Sequence, residues 1–397
     1  MGQTPYVFNQ LCALLPRDYF EYLVRTNDGN THVKSYSCWN HYLVMLWAQL
    51  TSRESLRDIE ASLRAHGDKL YRMGMGRSVS RNTIAHANAT RPVAIYREFA
   101  SKVMALALER TGKGNAGLSS ISGVLHLAGM FAVDSSTVPL DLQKFGWAVP
   151  QQGAGGVKLH TMYDMLRLVP AFCLITGHEE RDQTFMDDYP YKEQSLYVFD
   201  KAYVKTASLK RLNDLPAFFI VRRKRRMEYA VLVEHSVQGA PVYGDKEIVF
   251  ANRWAKNGYP DKLRLVQYYS RERNELMEFL TNCFALPAGA VAEVYRNRWS
   301  VELFFRWLKQ NLRVAQFYGT SANAVLIQIY VAVTAYCLVA MAAYAYRFKG
   351  TLYEFLRILS VSLPERRPLA ELLRCYEKAE ERRGEVVPCP SLFQNEF

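Results

Sequence analysis

The chain has 397 residues, of which 49% are hydrophobic and 13% aromatic, so it can form a substantial packed core and is not an intrinsically disordered protein. Fifty Lys and Arg residues against 38 Asp and Glu give a formal net charge of +12, which favours a polyanionic partner, and nucleic acid more than a membrane. The seven cysteines are scattered and form no C-x-x-C pair, which indicates reduced thiols in a cytoplasmic protein, and the N-terminal residues lack the pattern of a secretory signal.

Residues 1–110 have the pattern of a helical region with a basic centre. Between residues 69 and 97 there are six cations and no acid: Lys69, Arg72, Arg77, Arg81, Arg91 and Arg97. Ser78 or Ser80 can cap a short helix that must end before Pro92. Such a helix can read base edges in a major groove, or its charges can simply be solvated. The candidate DNA contacts are Arg77, Arg81, Asn82 and Arg91, and the same helix carries Thr83, His86 and Asn88.

A stretch rich in Gly and Ser, residues 111–123, predicts a linker and a domain boundary. Apolar runs typical of buried strands follow at residues 124–138, 167–176 and 194–204. After a helical pattern at residues 205–214, further strand patterns appear. We therefore expect a β-rich insertion over residues 206–286 and then a helix over residues 287–312.

Residues 324–346 contain no charged side chain and are long enough to cross a bilayer. Their Ala, Thr, Tyr and Gln328 content is more typical of a helix buried on all sides in a large domain. We therefore expect a buried helix and no membrane partner. The C-terminal region, residues 349–397, reads as a charged amphipathic helix followed by a loose tail.

The segment YRNRWSVELFFRWLKQN, residues 295–311, contains one acidic side chain among several cations. On a helix of about 3.6 residues per turn, Tyr295, Arg298, Glu302 and Lys309 share one face. A surface ion pair of Glu302 with Arg306 or Arg298 would explain the acid, but it leaves the aligned Tyr and Lys unexplained. Whether Glu302 faces a cation of the chain or a metal ion stays open at this point.

Two aspartates, Asp134 and Asp200, each follow an apolar run, where the end of a strand would present them at the edge of a sheet. Either one alone is more often a turn residue. Together with Glu302 they offer three oxygen ligands without a nearby His or Cys cluster, a set that suits Mg²⁺ or Mn²⁺ and not zinc. Arg298 and Lys309 would then hold phosphates beside the metal site.

The pattern Tyr295-x2-Arg298-x3-Glu302-x6-Lys309, with Asp134 and Asp200 upstream, resembles the bacterial insertion-sequence DDE transposases of the Tyr-Arg-Glu-Lys signature type. The resemblance extends over about residues 125–345. The helical N-terminal region is similar to the DNA-binding domain found in one branch of that group. One departure is Ala202, since the family often has Gly two residues after the second Asp, and this change can alter the local turn.

The resemblance implies an α/β protein with an RNase H-like catalytic core at residues 124–205 and 287–348, interrupted by the β-rich insertion and preceded by the helical domain. In this interpretation Asp134, Asp200 and Glu302 are catalytic and bind two divalent ions, Mg²⁺ or Mn²⁺. The implied function is cut-and-paste transposition: cleavage at insertion-sequence ends, in some relatives through DNA hairpins, and strand transfer into target DNA. The implied partners are double-stranded DNA and a second copy of the chain in a synaptic complex.

A basic run and two tryptophans are further candidates for DNA contact. For the run Arg222, Arg223, Lys224, Arg225 and Arg226 we favour phosphate contact over a solvated edge strand. Trp254 and Trp299 are candidates for stacking on an extruded base, although ordinary core packing is the interpretation that we favour for each. Lys158 and His160 are left unassigned.

The alternative function is that of a catalytically inactive, transposase-derived DNA-binding or regulatory protein. The three intact carboxylates argue against it.

Overall fold

A computed structural model describes residues 4–148, 155–237, 239, 241–311 and 317–382. The chain divides into two compact units, which are described separately. The first unit comprises Met1–Gly112, Thr137–Val157 and Phe304–Phe397, and the second comprises Lys113–Ser136 and Lys158–Leu303. The end of the predicted C-terminal tail, residues 383–397, lies outside the described residues.

Among the described residues, helices dominate the N-terminal and C-terminal parts, and strands dominate the middle. The helices are α1 (Val7–Cys12), α2 (Arg17–Thr26), α3 (Cys38–Leu50), α4 (Leu56–Ala65), α5 (Gly67–Leu70), α6 (Arg81–Thr90), α7 (Val93–Arg110), α8 (Ala116–Val124), α9 (Thr206–Asp214), α10 (Arg253–Gly258), α11 (Ala288–Arg296), α12 (Trp299–Asn311), α13 (Ala322–Ala345), α14 (Leu352–Ser362) and α15 (Leu369–Arg382). The strands are β1 (Gly129–Pro139), β2 (Gly156–Asp164), β3 (Val169–Gly177), β4 (Ser195–Phe199), β5 (Phe218–Arg222), β6 (Tyr229–His235), β7 (Val242–Phe250), β8 (Leu263–Ser270) and β9 (Glu275–Thr281). Short 3-10 turns are formed by Gly146–Ala148, Asp182–Asp187 and Lys201–Tyr203.

The described part of the first unit is largely helical, and the predicted helical region, residues 1–110, contains α1 to α7. The N-terminus of α6 is capped by the hydroxyl of Ser80, which accepts a hydrogen bond from the backbone amide of Thr83. Ser80 is thus one of the two predicted caps. The helix ends at Thr90, before Pro92, as expected from the conformational restriction that a proline places on the preceding residue.

The long apolar helix α13 forms the centre of the first unit and packs against α3, α6, α7 and α14. By length and composition it could cross a membrane, but 94% of its most apolar window is buried inside the protein. The hydroxyl of Tyr42 on α3 donates to the hydroxyl of Thr334 within this interface. Such burial is the property of a core helix, which agrees with the expectation from its Ala, Thr and Tyr content.

In the second unit, the described strands form a single nine-stranded sheet in the order β3-β2-β1-β4-β5-β9-β8-β7-β6. β4 pairs in parallel with both β1 and β5. The strands from β5 through β9, β8 and β7 to β6 pair antiparallel. The strands of the predicted insertion, β5 to β9, therefore extend the same sheet, because β5 pairs directly with β4.

Alternate residues of the parallel strands bury one face of this sheet. Phe131 and Val133 on β1 belong to the same buried cluster as Tyr197 and Phe199 on β4. The rings of Phe131 and Tyr197 stack with their centres 5.4 Å apart. Since successive side chains on a strand point to opposite faces, Asp134 points away from this cluster.

The structure differs from two local predictions. The predicted linker 111–123 contains α8, which Asn115 caps by accepting a hydrogen bond from the amide of Leu118, a fully buried residue. The predicted helix 287–312 is interrupted between α11 and α12, where the side-chain amide of Asn297 donates to the carbonyl of Glu293. Arg298 therefore lies in a tight turn, and its backbone amide donates to the carbonyl of Tyr295.

Candidate active site

Asp134 and Asp200 lie side by side because their strands are parallel neighbours. Val133 on β1 is paired with Phe199 on β4, and each aspartate directly follows one of these two residues. Neighbouring strands lie about 4.8 Å apart, which places the two carboxylates at one position of the sheet. The prediction that both end a strand holds for Asp200 but is wrong for Asp134, because β1 continues to Pro139.

Asp200 is held by Tyr295, from the last turn of α11. The tyrosine hydroxyl donates a hydrogen bond to Oδ1 of Asp200 at 3.2 Å. Its ring is buried and lies against Phe279, with the ring centres 4.5 Å apart. Burial raises the pKa of Tyr295 to about 12, so its hydroxyl remains protonated, and can donate, at neutral pH.

Arg298 connects the two other carboxylates. Its Nη1 donates to Oδ2 of Asp134 at 2.6 Å, and its Nη2 donates to Oε1 of Glu302 at 2.5 Å. The side chain is only 9% exposed. Burial disfavours its charge, but Asp134, Tyr295 and Glu302 outweigh that effect and raise the pKa of Arg298. Of the two cationic partners considered for Glu302, the structure therefore shows a pair with Arg298.

The surroundings of Asp134 change the pKa of its carboxyl group. Burial raises its pKa from 3.8 to about 6, against the opposing effects of Arg298 and the Ser135 backbone amide. An ionised carboxylate in such surroundings is stabilised by any cation that reaches it. The pair with Arg298 is one way in which the protein supplies that cation.

The three acids offer only oxygen ligands, the donor type that hard divalent cations prefer. Within the described residues, however, no three His, Cys, Asp or Glu side chains are grouped as a metal site. Arg298 lies between two of the acids, and the third is bonded to Tyr295. The chemistry of the donors fits a divalent cation. In this structure the guanidinium of Arg298 bridges two of the three acids, Asp134 and Glu302.

Comparison with known proteins assigns the family. Residues 127–338 match the family described as "Transposase DDE domain", and residues 3–76 match "Domain of unknown function (DUF4372)". The chain belongs to the DDE transposase family. A transposase of Sinorhizobium fredii, named y4zB, is 30% identical over 75% of this chain and 81% of its own. A transposase of insertion sequence element IS5377 from Geobacillus stearothermophilus is 31% identical over 52% of this chain and 54% of its own.

A third relative, a transposase of insertion sequence element IS4SA from Synechocystis, is 21% identical over 89% of this chain and 97% of its own. The solved piggyBac transposase synaptic complex with hairpin DNA aligns at a TM-score of 0.44 and 9% identity, covering 98% of this chain and 88% of that chain.

This protein is therefore a DNA transposase, an enzyme of DNA cleavage and strand transfer. The expected α/β fold class with a helical N-terminal region is confirmed. DDE transposases generally use divalent metal ions.

Two other residues of the predicted site can now be located. Lys309 follows Glu302 by about two turns of α12, and burial lowers its pKa. Ala202 is exposed in the 3-10 turn after Asp200.

The basic N-terminal residues of the transposase divide into exposed and buried ones. Arg77, Arg81 and Asn82 are exposed. Arg91 is buried, and its guanidinium donates to the backbone carbonyls of Gly29 and Tyr36, both at 2.5 Å. The prediction that Arg91 contacts DNA is therefore wrong, because its donors hold the protein backbone.

Asn88, from the same predicted reading helix, is also buried, and its Oδ1 lies 2.8 Å from Nε2 of His41. A role of Asn88 in reading base edges is therefore excluded in this arrangement.

The basic run that begins at the last residue of β5 also contains both bonded and exposed side chains. Arg222 pairs with Glu275 and Arg223 with Glu278. The ammonium of Lys224 donates to the carbonyl of Val204 at 3.2 Å. Arg225 and Arg226 are exposed.

The two tryptophans differ. Trp254 is 85% exposed at the start of α10, so the favoured interpretation of core packing is wrong for this residue. Trp299 is only partly exposed, at the start of α12.

One polar cluster next to the site was missed in the sequence. Ser135 follows Asp134 and donates through Oγ to Oδ1 of Asp182 at 2.6 Å. Asp182 lies in the charged segment HEERDQ, which has no periodic pattern and no motif that separates one acid from its neighbours. Of the two unassigned residues, Lys158 contacts the same oxygen of Asp182, whereas His160 is fully buried and bonded to Thr176.

Proposed function

We propose that Asp134, Asp200 and Glu302 are the catalytic carboxylates of this transposase and that they bind two divalent ions, Mg²⁺ or Mn²⁺. The observation that carries the proposal is the guanidinium of Arg298, which bonds Asp134 and Glu302 at once. A buried arginine spanning two acids marks a position where carboxylates from separate elements meet and require positive charge. Tyr295 joins Asp200 to the same group of residues.

The residues around the three carboxylates would orient the metal ligands and bind the DNA phosphates. Tyr295 keeps Asp200 in one orientation through its protonated hydroxyl. When bound, the two ions would supply charge stabilisation for the attacking and leaving oxygens of an in-line displacement at phosphorus. Arg298 carries five N–H donors in a planar fork and is suited to bind a DNA phosphate with two hydrogen bonds. Lys309 would add a single positive charge to the same strand of DNA.

The proposed substrates are the terminal inverted repeats of an insertion sequence and a target duplex, bound by a homodimer in a synaptic complex in the cytoplasm. The formal net charge of +12 supports binding to DNA. Within the run Arg222–Arg226, we assign phosphate contact to Arg225 and Arg226, because both side chains are exposed. Their loop lies near Asp200, since Lys224 contacts Val204.

The test is cleavage of a supercoiled plasmid that carries the inverted repeats flanking the gene in its own genome. With Mg²⁺ or Mn²⁺, the transposase should nick and excise the segment and join its 3′-OH ends to a second plasmid. EDTA should abolish every product while end binding persists. Binding to the ends without cleavage in either metal would favour the inactive, regulatory alternative.

A first prediction concerns α6. Arg81→Ala should lower the affinity for an end-bearing duplex by about 3–10-fold and flatten the salt dependence of binding, because an exposed cation of the proposed reading helix is lost. Fluorescence anisotropy at two salt concentrations measures this. Arg17→Ala, which removes an exposed arginine of α2, is the matched control.

Arg91→Ala supplies the structural contrast to Arg81→Ala. It should lower stability by about 1–3 kcal/mol, because the carbonyls of Gly29 and Tyr36 lose their donors. Thermal unfolding measures this loss. Unchanged DNA binding by Arg81→Ala at both salt concentrations would count against α6 as a DNA-reading helix.

A second prediction concerns Trp254. If the ends pass through a hairpin, Trp254→Ala should slow hairpin formation by about 5–100-fold, the loss expected when one base loses an aromatic platform. Binding and first-strand nicking should stay near wild type, because an 85% exposed side chain adds little to the fold. Hairpin and nicked products are separated on denaturing gels.

Trp254→Phe keeps an aromatic face and should retain most of the hairpin rate. Equal rates at every step for Trp254→Ala and wild type would exclude the stacking role.

A further inference from the structure

A fourth acidic side chain, Asp182, lies next to the proposed active site. Its Oδ1 accepts a hydrogen bond from Oγ of Ser135 at 2.6 Å and one from the ammonium of Lys158 at 3.3 Å. The side chain of Asp182 is 25% exposed, and Asp182 is the first residue of the 3-10 turn Asp182–Asp187. Ser135 is the residue that directly follows Asp134 on β1.

The same serine also holds Asp134. Its backbone amide donates to Oδ1 of Asp134 at 2.9 Å. Oδ2 of Asp134 is the oxygen that Arg298 bonds. Ser135 thus fixes one carboxylate oxygen through its amide, and the other is left to face a cation.

Lys158 anchors the far end of this chain of hydrogen bonds. Its ammonium donates to the carbonyl of Glu180 at 2.7 Å, and its side chain is only 14% exposed. His160, two residues further along β2, has Nδ1 at 3.9 Å from Asp182 and its other ring nitrogen 2.9 Å from the Thr176 hydroxyl on β3. Asp182 is therefore held in place from β2 and cannot turn freely away from Ser135.

We propose that Lys158, Asp182 and Ser135 form a positioning relay that fixes the orientation of the Asp134 carboxylate. The inference rests on the proposed role of Asp134 as a metal ligand. Hydrogen bonds behind a ligand orient its donor atoms, and their loss typically weakens metal binding by about 10–100-fold. The competing explanation is a purely structural pair that ties the loop after β3 to the sheet, which would affect stability but not the affinity for a cation.

The test is calorimetric titration of the full-length, metal-free transposase with Mn²⁺. Ser135→Ala removes only the hydroxyl, and Asp182→Ala removes the acceptor. Each is expected to weaken Mn²⁺ binding by about tenfold. Ser135→Thr keeps a hydroxyl and should bind like wild type. Asp188→Asn, which alters an exposed acid just after the same 3-10 turn, is the matched control.

A surface cavity of about 320 Å³ is lined by residues that include Lys158, Asp182 and Ala202. The space left by the Asp182 side chain in Asp182→Ala would therefore fill with water and would not form a buried void. Cooperative thermal unfolding in EDTA verifies the fold of each variant. If Asp182→Ala does not fold, Ser135→Ala decides the question. The rate of DNA cleavage at rising Mn²⁺ gives a second measurement, in which Ser135→Ala should approach the wild-type rate only at higher metal concentration.

Two results would overturn the relay: wild-type Mn²⁺ affinity in both alanine variants, or an equal loss of affinity in Ser135→Thr and Ser135→Ala. Failure of the proposed function looks different. In that case Asp134→Asn would bind Mn²⁺ as tightly as wild type does, or wild type itself would not bind. A loss of affinity in Asp134→Asn together with intact Ser135→Ala and Asp182→Ala would retain the catalytic assignment and reject only the relay.

Discussion

Asp134→Asn, Asp200→Asn and Glu302→Gln are each expected to lower DNA cleavage by about a thousandfold or more, because each removes a proposed ligand of the catalytic ions, and charge stabilisation by such ions is worth several kcal/mol. Binding to the ends should stay within about twofold, since proposed DNA contacts such as Arg81 lie elsewhere in the chain. The measurement is cleavage of the end-bearing plasmid beside anisotropy on the same sequence. Glu272→Gln, at an exposed acid in the turn between β8 and β9, is the control.

The replacements are conservative in this structure, so that a loss of activity can be attributed to chemistry. An amide oxygen at position 200 can still accept from the Tyr295 hydroxyl, and one at position 302 can accept from Arg298. Wild-type cleavage by all three variants would show that the carboxylates are not the ligands. Loss of cooperative unfolding would instead point to a structural role for these residues.

Stability is expected to change in the opposite direction to activity for Asp134→Asn. Burial raises the pKa of Asp134 to about 6 from 3.8, so its ionised form is disfavoured in the folded, metal-free protein. At neutral pH the free energy of unfolding of the variant should be at least that of wild type, and higher by as much as about 3 kcal/mol. As the pH falls from 6 to 4, the folded wild type binds the proton more tightly than the unfolded chain and regains stability, so the difference should shrink. Thermal unfolding in EDTA across this pH range measures it.

How much of the site can be predicted from sequence depends on how local each interaction is. Asp134 and Asp200 are found because each follows an apolar run, and the parallel pairing of β1 with β4 then brings them together. The spacing of Tyr295, Arg298 and Glu302 is also visible. The break between α11 and α12 is not, since it depends on hydrogen bonds of Asn297, whose Oδ1 accepts from the side chain of Asn115, distant in sequence.

The arginines show the limit of composition as a guide. Arg81 and Arg91 lie ten positions apart in one acid-free segment, and nothing in that segment separates them. The difference arises only when Gly29 and Tyr36 fold against Arg91 and take its donors. Asp182 was missed for the same reason, because its contact with Ser135 joins two residues separated by 47 positions.

Arg298 gives the prediction that separates structure from catalysis most clearly. In metal-free protein, Arg298→Ala should lower stability by about 2–4 kcal/mol, because two carboxylates with 18% and 30% exposed side chains lose their shared partner. Cleavage should fall at least about a hundredfold, since the proposed phosphate fork is lost as well. Arg298→Lys keeps the charge but cannot donate two parallel hydrogen bonds, and should restore stability better than cleavage.

The response to metal gives Arg298→Ala a distinctive signature. In wild type the arginine donors bond Oδ2 of Asp134 and Oε1 of Glu302, so a cation that needs those oxygens has to displace the guanidinium. In the alanine variant both oxygens are available, and Mn²⁺ should raise the melting temperature more than it does in wild type, because a ligand stabilises the folded state according to its affinity. Arg296→Ala, at an exposed arginine two residues earlier, is the control. An equal rise in wild type and Arg298→Ala would mean that the arginine and the cation do not compete for these carboxylates, and that Arg298 keeps its bridge throughout the reaction.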